Sequence, residues 1–415
     1  MDITKRGRLI GAALLTAGLA AAALTGCSSS NSGSSGSAGG TYTFWDPYPQ
    51  YDASSDWAKV IDSCASTAGV KIKRTGYDTS DLTNKALLAG QQQNSPDILL
   101  VDNPVVSTLA SAGILTTTAE NKLDAGDVSK NILGAGVIDG KTYGVPIGAN
   151  TLALYYNPKV LSAAGVDISS VKDWASLTDA LAKVVASGHK GITFSGINTE
   201  EGSFQFLPWF WGSGAELTKL DSDKAVGALT LWTNWIQKGY APNSVIQNTQ
   251  TTSWQEMQTG DFGFAENGTW QKADAAKNGF QVIPLPGENG GSAPAPTGGE
   301  FLTIPVQKDS ARYKASAKIV SCLTSTKNVV NTDNTLNYIG ATSAVQDKQL
   351  AGDSTLKPWV EAVQAAKART GDNLGTKYPK ISEQLWTAMQ KAESGSASPA
   401  DALKAAQTAA AAATK

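Results

Sequence analysis

Pro96-Asp97-Ile98-Leu99-Leu100-Val101 is a short apolar stretch that predicts a buried strand, and two further strands are predicted before it. Tyr42-Thr43-Phe44-Trp45 opens the series, and Val70-Lys71-Ile72-Lys73-Arg74 alternates in the manner of a second strand. Amphipathic helices are predicted between them, at about residues 56–68 and 80–92. This β-α-β-α-β order predicts a mostly parallel sheet between helices, with ligand contacts on loops that follow the carboxyl ends of the strands.

A second series of elements follows the Gly-containing turn at Asp139-Gly140-Lys141. Leu152-Ala153-Leu154-Tyr155-Tyr156 predicts a strand that ends before a proline, and helices are predicted next at about residues 158–164 and 176–187. Residues 284–297 contain four Pro and three Gly, which predicts a long loop. A strand at 300–305 and a helix at 311–323 follow. With 415 residues, the chain is long enough for about two domains.

The N-terminus has the pattern of an export signal, because basic residues between positions 5 and 8 precede an apolar run from Leu9 to Leu24. The run ends in Leu24-Thr25-Gly26-Cys27, which resembles the lipobox of bacterial lipoproteins. Residues 1–26 are therefore predicted to be a signal peptide, and residues 27–40 a lipidated Cys27 with a flexible linker. A transmembrane helix is the alternative, but the run is short for a span of about 20 residues. We expect an extracytoplasmic protein anchored to the cell membrane through Cys27.

The composition disfavours several classes of function. The chain has 34 Lys and Arg against 36 Asp and Glu, a net charge of −2, so no strongly basic surface for nucleic acid is expected. One His and three Cys form no cluster at metal-ligand spacing, and we expect neither a metal nor a cofactor. After lipidation, Cys64 and Cys322 remain as a pair that can form a disulfide in an exported protein, and two separately buried thiols are the alternative.

Six stretches between residues 41 and 395 carry a resemblance through their order and spacing. They are Phe44-Trp45-Asp46; Pro96-Asp97-Ile98-Leu99-Leu100; Asp139-Gly140-Lys141-Thr142-Tyr143-Gly144-Val145-Pro146 leading to Tyr155-Tyr156-Asn157; residues 260–270; Gly298-Gly299; and Tyr378-Pro379 ahead of Trp386. In these stretches the chain resembles the family 1 extracellular solute-binding proteins, which include the maltose-binding proteins.

The resemblance implies an α/β protein with the two-lobed, type II periplasmic-binding-protein-like fold and a ligand cleft between the lobes. Lobe one would contain residues 41–148 and 299–345, and lobe two residues 149–298 and 346–415. It further implies a monomeric component of an ABC importer that closes on a sugar, in first place an oligosaccharide, and delivers it to the permease subunits. No catalytic residue is expected. Cys64 and Cys322 would both fall in lobe one.

A sugar requires polar groups around its rim of hydroxyls and aromatic faces against its C–H patches. The aromatic candidates among the 11 Trp residues are Trp45, Trp209, Trp211, Trp270 and Trp386. Trp209 and Trp211 also fit a hydrophobic core helix. The polar and glycine candidates follow predicted strands or match family positions, and they are Asp46, Asp102, Asn103, Asn150, Glu201, Glu266, Gly298, Gly299, Arg369 and Asp372.

Other roles remain open for several candidates. Asp102 or Asn103 could instead cap the helix that follows. Glu201 and Glu266 could lie on solvated loops. Gly298 and Gly299 could serve only to allow a tight turn. Arg369 and Asp372 match no family pattern, so each is either a specificity determinant or a surface charge.

Two competing functions remain. One is a binding protein for a peptide, a polyamine or an anion. Arg369 keeps an anion as a possible ligand, because an anion site would need an arginine or a helix N-terminus in the cleft. A secreted glycoside hydrolase is the other, but it needs two carboxylates at a defined separation across the scissile bond. Glu200 and Glu201 are neighbours that would point apart, and His189 is predicted to lie on a loop without a nucleophile elbow.

Overall fold

The computed structural model describes residues 40–371 and 374–415, without the side chains of residues 79 and 80. The predicted signal peptide, Cys27, nearly all of the linker, and Asp372 lie outside the described residues. The strands of the described part are β1 (Thr41–Asp46), β2 (Lys71–Gly76), β3 (Ile98–Asp102), β4 (Val137–Ile138), β5 (Lys141–Thr142), β6 (Val145–Pro146), β7 (Leu152–Tyr156), β8 (Lys190–Thr193), β9 (Phe262–Gly268), β10 (Gln281–Ile283), β11 (Pro296–Thr297), β12 (Glu300–Thr303) and β13 (Lys367–Ala368).

The helices alternate with these strands, and longer helical stretches follow β8 and β12. They are α1 (Asp56–Ala68), α2 (Thr79–Gln91), α3 (Asn103–Ser111), α4 (Lys130–Leu133), α5 (Pro158–Ala163), α6 (Trp174–Ala186), α7 (Glu200–Gly212), α8 (Asp223–Gln237), α9 (Gln250–Gln258), α10 (Lys272–Asn278), α11 (Tyr313–Leu323), α12 (Thr326–Leu336), α13 (Ser343–Gly352), α14 (Lys357–Ala365), α15 (Lys377–Glu393) and α16 (Pro399–Ala413). In the described part of the chain, none of them combines the length and apolar character needed to cross a bilayer.

The first sheet has the order β2-β1-β3-β12-β6. Strands β1, β2 and β3 are parallel, as the β-α-β-α-β pattern predicts, while β12 enters from much later in the chain and pairs antiparallel with β3 and β6. Successive side chains of β3 point to opposite faces, so Ile98 and Leu100 pack into one apolar cluster and Leu99 and Val101 into another. Both faces are therefore covered, and only the ends of the strands remain for ligand contacts.

The second sheet has the order β10-β7-β9-β8. Its strand β7 is buried along its whole length, with Leu152 and Leu154 in one apolar cluster and Ala153 and Tyr155 in another. The strands of the two sheets fall on either side of the predicted lobe boundaries, and we call the two halves lobe one and lobe two on that basis. The boundaries themselves stay a prediction.

Short backbone bridges join the segments that pass between the sheets. Asn150 pairs with Gly298, and Ala149 pairs with Ile339. Three passages of the chain are therefore tied together side by side, next to the start of β7.

A disulfide joins α1 to α11 within lobe one. Cys64 and Cys322 are bonded with their Cα atoms 5.6 Å apart, across a sequence separation of 258 residues. The prediction of a Cys64–Cys322 bond is confirmed, and the alternative of two separate thiols is wrong.

Candidate functional site

A buried arginine lies between the end of β3 and the start of α7. Arg369 follows β13 and is only 2% exposed. Its Nη2 donates to Asp102 Oδ1 and to Asn103 Oδ1, each at 2.8 Å, and its Nη1 donates to Glu200 Oε1 at 2.8 Å. The first two partners stand at the carboxyl end of β3 in lobe one, and Glu200 begins α7 in lobe two. The guanidinium thus links the two lobes.

The partners of Arg369 are themselves held in place. The side chain of Asp102 also accepts from the backbone N–H of Asn103 at the start of α3. Asn103 donates from Nδ2 to the carbonyl of Thr297, 2.8 Å away. The two roles proposed for Asp102, helix cap and cleft residue, are therefore compatible, because one carboxylate oxygen serves both contacts. Burial disfavours the charge of Arg369, but Asp102 and other neighbours more than offset it, and the pKa of Arg369 is raised.

On the lobe-two side, Glu200 is the centre of the hydrogen bonds around Arg369. It accepts from Tyr378 Oη at 2.6 Å and from Ser382 Oγ at 2.6 Å, both on α15. The sequence pattern did not indicate this residue as a site residue. It did predict that Glu200 and Glu201 point apart, and they do: Glu201 is exposed and accepts from the backbone N–H of Gln250.

A buried acid lies on the lobe-one side of these contacts. Glu300, the first residue of β12, accepts a hydrogen bond from Tyr338, whose hydroxyl also lies 2.7 Å from that of Tyr48. Burial, reinforced by the negative charge of Asp102, raises the pKa of Glu300 to about 7. This carboxyl group therefore titrates close to neutral pH.

An aromatic surface adjoins the arginine. The guanidinium of Arg369 lies 4.8 Å from the ring centroid of Phe204, and the rings of Phe204 and Trp270 are 6.4 Å apart. A Cβ at Gly298 would overlap the side-chain oxygen of Asn150 and come within 3.2 Å of Phe204. Close packing at this point therefore requires glycine. Of the predicted site residues, Asp102, Asn103, Asn150, Trp270, Gly298 and Arg369 thus belong to one neighbourhood, which we call the interlobe network together with Glu200 and Phe204.

Gly299 supports this neighbourhood through its backbone. Its φ of 110° lies in the region that favours glycine, and its carbonyl accepts from the backbone N–H of Asn103 at 3.1 Å. A Cβ at this position would also meet the backbone of Gly148. The two glycines therefore allow the passage between β11 and β12 to lie against the start of α3.

Asp46 lies inside lobe one. It is fully buried and holds two hydrogen bonds from Arg74, at 2.5 and 2.7 Å, one from Trp57 Nε1 and one from the backbone of Tyr48. These contacts occupy both carboxylate oxygens. They give Asp46 a structural role, and its contact with a ligand stays a prediction.

Each of the remaining aromatic candidates packs inside a single lobe, either lobe one or lobe two. Trp209 is fully buried on α7 and donates to Glu266 Oε2 at 2.7 Å, so both belong to the interior of lobe two. Trp211 is 6% exposed in the same helix. Trp45 packs its ring edge-on against Tyr77, 5.3 Å away, and Trp386 packs against the lobe-two core. The core-helix alternative fits the α7 tryptophans, since every residue of that helix from Gly202 to Trp211 is buried.

The site offers no arrangement typical of metal chemistry. Within residues 40–371 and 374–415, no group of three or more His, Cys, Asp or Glu side chains is placed to hold a metal ion. His189 is partly exposed and lies 3.0 Å from Asp261, away from the network.

Comparisons with known proteins place the chain in a family. Residues 59–370 match the model of the bacterial extracellular solute-binding proteins. A maltooligosaccharide ABC transporter solute-binding lipoprotein of Streptococcus pneumoniae (strain ATCC BAA-255 / R6) is 27% identical over 294 residues, which are 65% of this chain and 65% of the relative. A binding protein of Brucella abortus (strain 2308) is 27% identical over 169 residues, 37% of this chain and 41% of the relative. The chain spans less than two thirds of these curated relatives.

A solved structure confirms the fold class. A receptor of Streptomyces glaucescens GLA.O, determined in the unliganded form and in complex with acarbose, superposes with a TM-score of 0.74 at 24% identity and covers 89% of this chain and 97% of that one. At this level of identity, the similarity shows the two-lobed fold. Because the family model matches three quarters of the sequence in chain order, the chain belongs to the bacterial extracellular solute-binding proteins.

Proposed function

We propose that this chain is the sugar-binding component of an ABC importer, and that it holds an oligosaccharide between the lobes at the interlobe network. The observation that carries the proposal is the position of Arg369, which joins the carboxyl end of β3 in lobe one to α7 in lobe two. Ligand contacts are expected at the carboxyl ends of parallel strands. A group that bonds to both lobes is also the kind of contact that makes closure of a cleft favourable.

The network has polar groups to spare for hydroxyls. Among the described residues, buried Arg369 Nε, Thr297 Oγ1 and Thr370 Oγ1 have no hydrogen-bond partner. Buried polar atoms are normally satisfied, so we expect these three to bond to a ligand with many donors and acceptors when the lobes separate and expose them. The rings of Phe204 and Trp270 supply the apolar face that the C–H patches of a sugar need. The maltooligosaccharide lipoprotein and the acarbose receptor among the similar proteins support an oligosaccharide as the ligand.

The competing functions fit the network less well. Both terminal nitrogens of Arg369 are already bonded to carboxylates, which speaks against an anion as the ligand. Asp102 and Glu200 bind the same guanidinium instead of facing each other across an open space for a scissile bond. We therefore propose that the protein binds the sugar without turning it over.

The remaining parts of the proposal concern the membrane. We propose that residues 1–26 are removed, that Cys27 carries the lipid, and that a monomer delivers the sugar to the permease subunits. Cys27→Ala should release the protein from the membrane fraction while leaving sugar binding intact. Retention of this variant in the membrane fraction would contradict the anchor.

Thermal-shift screening with maltooligosaccharides and unrelated sugars tests the ligand, because a ligand that binds only the folded protein raises its melting temperature. Trp270→Ala should weaken binding by about 1 to 3 kcal/mol in calorimetry, and Trp270→Phe should lose less because it keeps an aromatic face. Failure of every sugar to shift the melting temperature would refute sugar binding. Appearance of shorter sugars during incubation would refute the absence of catalysis.

A further inference from the structure

A buried acid without a partner lies beside the passages of chain that connect the two lobes. Asp333 of α12 is 0% exposed, and neither of its carboxyl oxygens has a hydrogen-bond partner among the described residues. A Cβ at Gly148 would lie 2.2 Å from Asp333 Oδ1, so the carboxyl group packs directly against this passage. The backbone carbonyl of Asp333 accepts from the N–H of Tyr338, one residue before the bridge between Ile339 and Ala149. Asp333 is therefore a hinge residue.

The cation whose charge reaches Asp333 belongs to the other lobe. Leu336, one turn after Asp333, packs in the core of lobe one, whereas Ala275, one turn after Lys272, packs against residues of β7 in lobe two. Burial raises the pKa of Asp333 well above its ordinary value, and the positive charge of Lys272 only partly opposes this effect. The two groups thus attract each other from opposite sides of the hinge without forming a contact.

Lys272 also lacks a partner in this arrangement of the lobes. It is partly exposed, and its ammonium group makes no hydrogen bond or ion pair within the part of the chain that the structure describes. Asp353 is the other acid whose charge reaches Lys272, but its carboxylate already accepts from the backbone N–H and the hydroxyl of Thr355. A cavity of about 690 Å³ is lined both by Lys272 and by Asn334, the residue after Asp333. This space leaves α10 room to approach α12.

The arrangement of the lobes decides which of two interlobe contacts is made. In this structure Arg369 links the lobes through Asp102 and Glu200. Asp333 and Lys272 are left unpaired in the same arrangement. A buried carboxyl group without a donor costs free energy, so an arrangement that lets the two groups meet gains stability. We expect them to meet when the lobes rotate away from the arrangement that Arg369 stabilises, because a contact made in one arrangement only shifts the population towards it.

We propose that Lys272 and Asp333 form an ion pair across the hinge when the cleft opens, and that this pair holds the ligand-free protein in the open arrangement. Both are positioning residues, because they set the closed population before a ligand arrives and do not touch the ligand. The inference rests on the proposed function for the closure of the cleft, but not on the identity of the ligand.

Small-angle X-ray scattering of the full-length chain without sugar tests the ion pair. Lys272→Gln and Asp333→Asn should each lower the radius of gyration, because each removes a contact that favours the open arrangement. The double variant should show no further decrease, since either single change already breaks the pair. Lys272→Arg keeps the positive charge and should keep the wild-type radius. Lys277→Gln, at an exposed position of the same helix, is the matched control and should change nothing.

Calorimetry with the best sugar from the thermal-shift screen gives a second measurement. Lys272→Gln and Asp333→Asn should bind that sugar about 3- to 10-fold more tightly, the range for losing one partly exposed ion pair that opposes closure. The scattering measurement needs no sugar, so a failure of every sugar to bind would refute the proposed function and leave the ion pair to be judged by scattering alone.

Three results would overturn the ion pair. They are ligand-free scattering of the wild-type protein that already matches the arrangement linked by Arg369; an unchanged radius of gyration in both Lys272→Gln and Asp333→Asn; and single effects that add in the double variant. If Lys272→Gln does not fold, Asp333→Asn serves in its place, because asparagine keeps the shape of the aspartate side chain and removes only its charge.

Discussion

Replacing Arg369 by methionine removes the only guanidinium of the interlobe network and keeps a side chain of similar length. Three hydrogen bonds of 2.8 Å are lost, and the buried Oδ1 of Asn103 loses its donor. Breaking a fully buried ion pair costs about 3 to 5 kcal/mol. The side chains of Asp102 and Glu200 remain 20% and 32% exposed, so water compensates part of this loss. We expect the free energy of unfolding to fall by about 2 to 4 kcal/mol.

The same substitution should weaken sugar binding, because it removes a contact between the lobes. If about 2 kcal/mol of the lost interaction favours the closed arrangement, the closed population falls about 30-fold relative to the open one. A double-mutant cycle with Asp102→Asn isolates the link across the lobes. We expect a coupling energy of about 1 to 3 kcal/mol between the two positions.

Arg312→Met is the matched control. Arg312 also holds a buried aspartate, Asp97, but both residues lie in lobe one, with side chains 20% and 4% exposed. Urea unfolding should show a loss of stability in both variants, whereas calorimetry should show weaker sugar binding only for Arg369→Met. If Arg369→Met changes stability and affinity by less than about 0.5 kcal/mol, the network does not link the lobes.

Three further predictions concern other parts of the chain. Reduction of the Cys64–Cys322 disulfide should lower stability by about 2 to 5 kcal/mol, measured by urea unfolding with and without reductant. Burial raises the pKa of Glu393 to about 8, so the folded protein holds a proton that the unfolded chain releases above its ordinary pKa of 4.5. Stability should therefore fall as pH rises from about 4.5 to 8, and Glu393→Gln should flatten this dependence in thermal melts. Gly298→Ala should weaken sugar binding, because its Cβ overlaps an asparagine side chain in the network, whereas Gly227→Ala, in α8 with open space around it, should leave calorimetric affinity unchanged.

Some elements of lobe one, such as α1, follow closely from the sequence because their boundaries have local causes. Helix α1 spans residues 56–68, as its apolar periodicity predicts. Its start is fixed by Ser55, whose side chain accepts from the backbone N–H of Ala58, and its end by Gly69 with a φ of 80°. Each of these signals involves residues within a few positions of the helix, so a single sequence is enough to detect it.

The pairing of the polar residues in the network, and the part that Glu200 plays in it, could not be found in this way. Glu200 and Arg369 are 169 residues apart in the sequence, and neither position carries a local motif. Phe204 lies in a helix whose apolar residues surround the axis, so periodicity does not show which side faces the guanidinium. Contacts of this kind depend on how β13 and α7 are placed by the two lobes, and that placement is a property of the whole chain.

Asp46 and Asp102 illustrate the limit most directly, because the sequence treats them alike. Each is the last residue of a parallel strand in the same sheet, which makes each a candidate for ligand contact. The difference lies in the arginine that each one meets. Arg74 of the neighbouring strand β2 neutralises Asp46 within lobe one, whereas Arg369 reaches Asp102 from the other lobe. A carboxylate paired inside one lobe keeps its partner whether the cleft is open or closed, so we expect closure to change the contacts of Asp102 more than those of Asp46.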